Sequence, residues 1–257
     1  MARRLAADRG ALTGTGDWIR QRVGTAAWRL KSAVAATPTL ALPLARLRGH
    51  GELVARDSDI LIEAFVRSGL SFAVAAFRLA QEPRAVKVAH HTHAPAAVIQ
   101  AVRVGVPSLV IVRNPMDAIC SYVIKTPDVS LAAGLHGYIR FHRALLPYRD
   151  RVAIGTFEEL VQDFGKLTVR VNERFNTSFV PFEPTPDNVR RIFTEIENDW
   201  STRGRDDEER ERGVPRPSKL RDALKEQLLA QYRSPALGAP RARAERLYTV
   251  LAAGASS

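Results

Sequence analysis

The apolar positions of this chain fall into short dense runs separated by stretches of helical spacing. Asp59 to Val66 (Asp-Ile-Leu-Ile-Glu-Ala-Phe-Val) is a short apolar run of the kind a buried strand has. Leu70 to Leu79 is apolar nearly all round, as a buried helix is. Val86 to His90 reads as a second strand, and His93 to Val104 as a helix closed by Gly105. Ser108 to Val112 is a third strand, with the β-branched content of a parallel sheet's interior. Helices are expected from Pro115 and from Leu131, then a fourth strand at Val152 to Thr156. Beyond it the pattern is helical: Glu158 to Phe175, Pro186 to Asn198, Ser218 to Tyr232 and Ala239 to Ala252. Strands alternating with helices predict a three-layer α/β fold with a central parallel sheet and added C-terminal helices. Residues 1–57 differ, being Arg-rich and broken by Gly, Thr and Pro, with one helix around Trp18 to Ala35. The expected organisation is an N-terminal extension, 1–57, and a single α/β domain, 58–257.

Composition changes this picture in two places. The 257 residues carry 38 Lys and Arg against 27 Asp and Glu, a net charge of +11, which points to an anionic partner. The single cysteine, Cys120, excludes an internal disulfide and a cysteine-based metal site. The best candidate for a membrane span, the uncharged run Ser32 to Ala45, holds 14 residues with Pro38 and Pro43, short of the roughly 20 a spanning helix needs. Asp8 and Arg9 interrupt any signal-peptide pattern. A soluble, cytoplasmic protein is expected.

In parallel sheets, ligands sit beyond the carboxyl ends of the strands. Two segments there carry chemistry. In Val66-Arg67-Ser68-Gly69-Leu70-Ser71-Phe72, Gly69 permits a tight turn, the first N–H groups of the following helix are open, and Ser68, Ser71 and Arg67 add donors and charge. That makes a phosphate cradle, or, on the plainer alternative, an N-cap, a turn glycine and a solvated arginine. The loop is too short for Gly-x-x-x-x-Gly-Lys-[Ser/Thr]. In Val112-Arg113-Asn114-Pro115-Met116-Asp117-Ala118-Ile119-Cys120-Ser121-Tyr122, Asn114, Pro115 and Asp117 are accounted for as a helix start. Arg113 and Ser121 are not, and two anion sites at neighbouring strand ends fit a nucleotide phosphorylated in two places.

Arg113-Asn114-Pro115-x-Asp117-x-x-x-Ser121-Tyr122 resembles the 3′-phosphate motif of sulfotransferases that use 3′-phosphoadenosine 5′-phosphosulfate (PAPS). Arg67-Ser68-Gly69-x-Ser71-Phe72 is similar to their 5′-phosphosulfate loop, usually Pro-[Lys/Arg]-Ser-Gly-x-Thr. The resemblance runs from about Asp59 to Phe175. It implies transfer of a sulfuryl group from PAPS to an acceptor hydroxyl or amine, with PAP as the product nucleotide and no metal. It further implies that Arg67 contacts the 5′-phosphate and bridging oxygen, with Ser68, Gly69, Leu70 and Ser71 cradling the same group. Arg113 and Ser121 would hold the 3′-phosphate, Phe72 would stack on adenine, and Phe157 stands where cytosolic members have Tyr.

His90-His91-Thr92-His93-Ala94-Pro95 holds three of the six histidines. A His-x-His pair invites zinc, but no third ligand lies nearby in sequence. The family's hydroxyl-accepting members carry Lys-Thr-His here, which makes His93 the implied general base. His91, Glu63 and Glu82 are the alternatives. Against the family pattern, Val66 replaces Pro and the C-terminal Arg-Lys-Gly signature is missing. Arg203-Gly204-Arg205 or Arg212-Gly213 stand as substitutes for it. Two other readings are a basic nucleic-acid-binding protein, for which no binding motif is present, and a nucleotide or small-molecule kinase, which lacks the Walker lysine. The resemblance therefore implies PAPS or PAP and an unidentified acceptor as partners, with no nucleic acid.

Overall fold

The computed structural model describes residues 15–37, 40, 41, 43, 44, 47, 52–201, 211–213 and 219–255. Four strands form one sheet: β1 (Ile60–Ala64), β2 (Val88–His90), β3 (Ser108–Val112) and β4 (Ala153–Thr156). All pairs are parallel, in the order β2-β1-β3-β4. Each strand is short and buried almost throughout, as expected where both faces are covered by helices.

Alternation along β1 sorts its side chains. Ile60, Ile62 and Ala64 face one apolar layer with α2 (Leu70–Gln81), α6 (Phe157–Phe175) and α7 (Pro186–Ser201). Leu61 and Phe65 face the other, with α3 (Pro95–Val104), α4 (Pro115–Lys125) and α5 (Leu131–Leu145). Two C-terminal helices, α8 (Lys219–Tyr232) and α9 (Gly238–Ala253), close that second layer through Tyr232, Ala244 and Leu251. The chain is thus an α/β protein with a central parallel sheet between two helical layers, as its pattern predicts.

Local chemistry explains most boundaries. The Asn114 side chain caps α4 by accepting from Met116 N, with Pro115 at the first helical position. Thr156 and Glu159 form a reciprocal capping box on α6. Gly105, at φ 78°, ends α3 in the left-handed conformation. That helix begins at Pro95 rather than His93, because the residues before it are held in a tight turn.

The N-terminal helix α1 (Thr15–Ala35) docks on α5. Trp28 is buried in the second apolar layer and its indole N–H donates to the Ala133 carbonyl at 3.0 Å. Gly137 makes room for it, since a Cβ there would lie 2.7 Å from the indole nitrogen.

Candidate active site

The chain runs from β1 outward to β2, then back across to β3 on the other side of β1. Such a reversal leaves a crevice at the carboxyl ends of β1 and β3, where parallel sheets bind ligands. Both arginines singled out in the sequence lie there, just past the ends of these strands. Arg67 adopts φ 65° and Gly69 φ 85°, two left-handed residues in one turn. Only Gly fits at position 69, because a Cβ would also lie 2.5 Å from Leu160 Cδ2. α2 then starts with no side-chain cap. Beside it the Ser68 hydroxyl is fully buried and has no hydrogen-bond partner among the described residues. A buried hydroxyl without a partner is costly unless something else occupies the site.

Three guanidiniums gather at one edge of this crevice. Arg67 Nε donates to Ser121 Oγ at 3.0 Å, and Arg221 Nη2 donates to the same oxygen at 3.0 Å. Arg67 Nη1 donates to the Gly213 carbonyl at 2.7 Å, and Arg113 Nη1 to the Arg67 carbonyl at 2.7 Å. Arg113 also lies 3.8 Å above the Phe157 ring, a cation–π contact that holds its plane. Among the described residues neither Arg67 nor Arg113 makes a salt bridge. Burial, then the charges of Arg221 and Arg113, push the Arg67 pKa down to about 9, so it stays cationic at neutral pH. Like charges packed this closely oppose one another until an anion joins them.

The structure therefore brings Arg67, Arg113, Ser121 and Phe157 together, and sets Ser71 apart on the histidine side, with Ser71 Oγ 3.1 Å from His91 Nε2. Phe72 packs against Phe182 and Phe193, with ring centroids 6.3 and 5.8 Å away. Leu70 is buried in the first apolar layer, so it offers backbone only. Arg203-Gly204-Arg205 lie outside the described residues, whereas Gly213 contacts Arg67. Glu82 pairs with Arg191 on the outer surface, away from the crevice residues. Arg221 closes the basic stretch 203–221, and nothing in its sequence neighbourhood distinguishes it from the other arginines there. Its helix is clamped to α4 by Lys225, 2.7 Å from Asp117.

No protein-family model and no curated protein matches the chain. Among solved structures it is similar to mouse sulfotransferase SULT7A1 complexed with PAP. The two are 15% identical over 77% of this chain and 91% of that one, with a TM-score of 0.41.

The histidine turn lies beyond β2, with His91 at φ 59° and His93 at φ 48°. Such conformations in non-glycine residues need support from their surroundings, and Glu63 supplies it from inside β1. Its carboxylate, fully buried, accepts from the N–H groups of Ala64 and Thr92 and from the Thr92 hydroxyl. Burial outweighs those bonds and pushes its pKa up to about 7. His93 Nδ1 lies 3.0 Å from the Ala64 carbonyl and 3.8 Å from Glu63 Oε1. A carbonyl only accepts, so the proton sits on Nδ1 and Nε2 keeps its lone pair. Burial pushes the His93 pKa down to about 3, and the charges of His91, Lys31 and Lys125 add to this. His93 borders a small cavity of about 30 Å³, shared with Trp28, Lys31, Phe65, Val66 and Phe141. α1 contributes Trp28, Lys31, Ser32 and Ala35 to this lining, a role its sequence did not announce.

Proposed function

We propose that this chain is a sulfotransferase, moving a sulfuryl group from PAPS to an acceptor hydroxyl. The convergence of Arg67 and Arg221 on Ser121, with Arg113 bonded to the Arg67 carbonyl beside them, at the switch point of the sheet carries the reading. It supplies unusually concentrated, partly buried positive charge beside an uncapped helix start, as a doubly phosphorylated nucleotide requires. Arg113, Ser121 and Arg221 hold the 3′-phosphate. The backbone of Ser68, Gly69 and Leu70, with the Ser68 and Ser71 hydroxyls, holds the 5′-phosphate. Arg67 serves the 5′-phosphate and the bridging oxygen, exchanging its bonds to Ser121 and Gly213 for bonds to the donor. Phe72, beside Phe193, offers a face to adenine.

His93 is the base. Its neutral ring presents Nε2 to an acceptor hydroxyl and takes the proton as the new oxygen–sulfur bond forms, and the Glu63 carboxylate, 3.8 Å from Nδ1, offsets the resulting positive charge. The bond from sulfur to the nucleotide oxygen breaks in the same displacement, and Arg67 offsets the charge growing on that oxygen. No metal takes part in this scheme.

The test compares PAP with 5′-AMP by calorimetry. Each charged hydrogen bond to the 3′-phosphate contributes about 1.5–3 kcal/mol, so PAP should bind at least about tenfold more tightly. Arg113→Ala should cut that preference by about tenfold or more. Equal affinities for the two nucleotides in the unaltered protein would overturn the assignment.

A further inference from the structure

Behind Ser71 lies a line of three side chains whose hydrogen bonds can run in only one direction. Arg78 Nη2 lies 2.9 Å from Glu52 Oε1 and 3.0 Å from His90 Nε2. A guanidinium has donors and no acceptor, so His90 Nε2 must accept, and the ring proton of His90 sits on Nδ1. His90 Nδ1 lies 2.6 Å from His91 Nδ1. With a proton already on the His90 side, His91 Nδ1 accepts and the His91 proton moves to Nε2. That nitrogen lies 3.1 Å from Ser71 Oγ, which therefore accepts. The serine's own proton is left to point elsewhere, and among the described residues no acceptor for it is present.

We propose that Arg78, His90 and His91 are positioning residues, a hydrogen-bond relay that turns the Ser71 hydroxyl proton outward as a donor to an anion at the start of α2. The proposal rests on the sulfotransferase reading for the identity of that anion, the 5′-phosphate, but not for the direction of the relay. Burial and the neighbouring Arg78 charge push the His90 pKa down to about 4, which agrees with a neutral ring that accepts from Arg78 and donates to His91. The arrangement also gives His91 a use in a place where the resembling family has Lys. A lysine would deliver charge directly, whereas His91 delivers only the polarity it receives from Arg78. Arg78 is 39% exposed and its pairing partner Glu52 is 57% exposed, so its replacement leaves the core intact.

Two measurements test this. Nitrogen-15 NMR of the histidine rings should find His90 protonated at Nδ1 and His91 at Nε2 in the unaltered, ligand-free protein. A His91 proton on Nδ1 would overturn the relay, whatever the protein binds. Calorimetry with PAP should then show that Ser71→Ala and Arg78→Met each weaken binding, by about tenfold for the direct donor and less for the remote one. The double variant should be no weaker than Ser71→Ala alone, because Arg78 acts only through that hydroxyl. Fully additive losses would overturn the coupling. Failure of the unaltered protein to bind PAP, with the tautomers as expected, would remove the sulfotransferase reading and leave the relay standing.

Discussion

Replacing Glu63 with glutamine tests whether a carboxylate sits unhydrated inside β1. The side chain is fully buried, and its pKa rises from an ordinary 4.5 to about 7 because burial penalises the charge more than its bonds to Thr92 and Ala64 favour it. One pKa unit corresponds to about 1.36 kcal/mol, so a shift of this size costs the folded protein about 3 kcal/mol once Glu63 ionises. The folded state holds the proton more tightly than the unfolded chain. Stability from this group is therefore fully present below pH 4.5 and is lost as pH rises through 7. The glutamine variant keeps the shape of the side chain and cannot ionise. Urea unfolding of both proteins between pH 4.5 and 8 should show Glu63→Gln gaining about 3 kcal/mol on the parent over that interval. His90 and His142, both pushed down to about 4 by burial, titrate alike in the two proteins and drop out of the difference. Parallel stability curves would refute the reasoning, since they would mean that water reaches the Glu63 carboxylate.

Four further outcomes follow from the geometry. His93→Ala should bind PAP as the parent does and lower transfer by about 10²–10⁴-fold in a radiolabelled-sulfate assay, the range for a lost general base. Arg221→Met should weaken PAP by about tenfold or more while leaving 5′-AMP unchanged in calorimetry. Gly69→Ala forces a side chain into a left-handed turn against Leu160. It should lower stability by about 3 kcal/mol in urea unfolding and abolish nucleotide binding. Trp28→Ala should cost about 3 kcal/mol or more, read from the same unfolding curves, because α1 loses both its buried anchor and the bond to Ala133.

Much of the scaffold could be read from the chain alone, because the interactions that set it are local. Dense apolar runs and helical spacing located all four strands and the helices that follow them. Asn114-Pro115, Gly105 and Gly69 mark where backbone must turn, since caps and left-handed residues act within a few positions of themselves. The two anion motifs were visible for the same reason: each is a strand end, a turn and a helix start in a single short segment.

Convergence was not legible. Arg67 and Ser121 meet across 54 positions, and Arg221 joins the same hydroxyl across 100. With 38 basic residues in the chain, composition cannot choose among them; the docking of α8 on α4 does. Glu63 stood in the sequence as an alternative base, and only the fold places the Thr92 turn against its carboxylate. Which elements form, and where their ends offer donors, follows from residues close together in the chain. Which charges are buried together follows from helix packing across the sheet, where no short-range preference reaches.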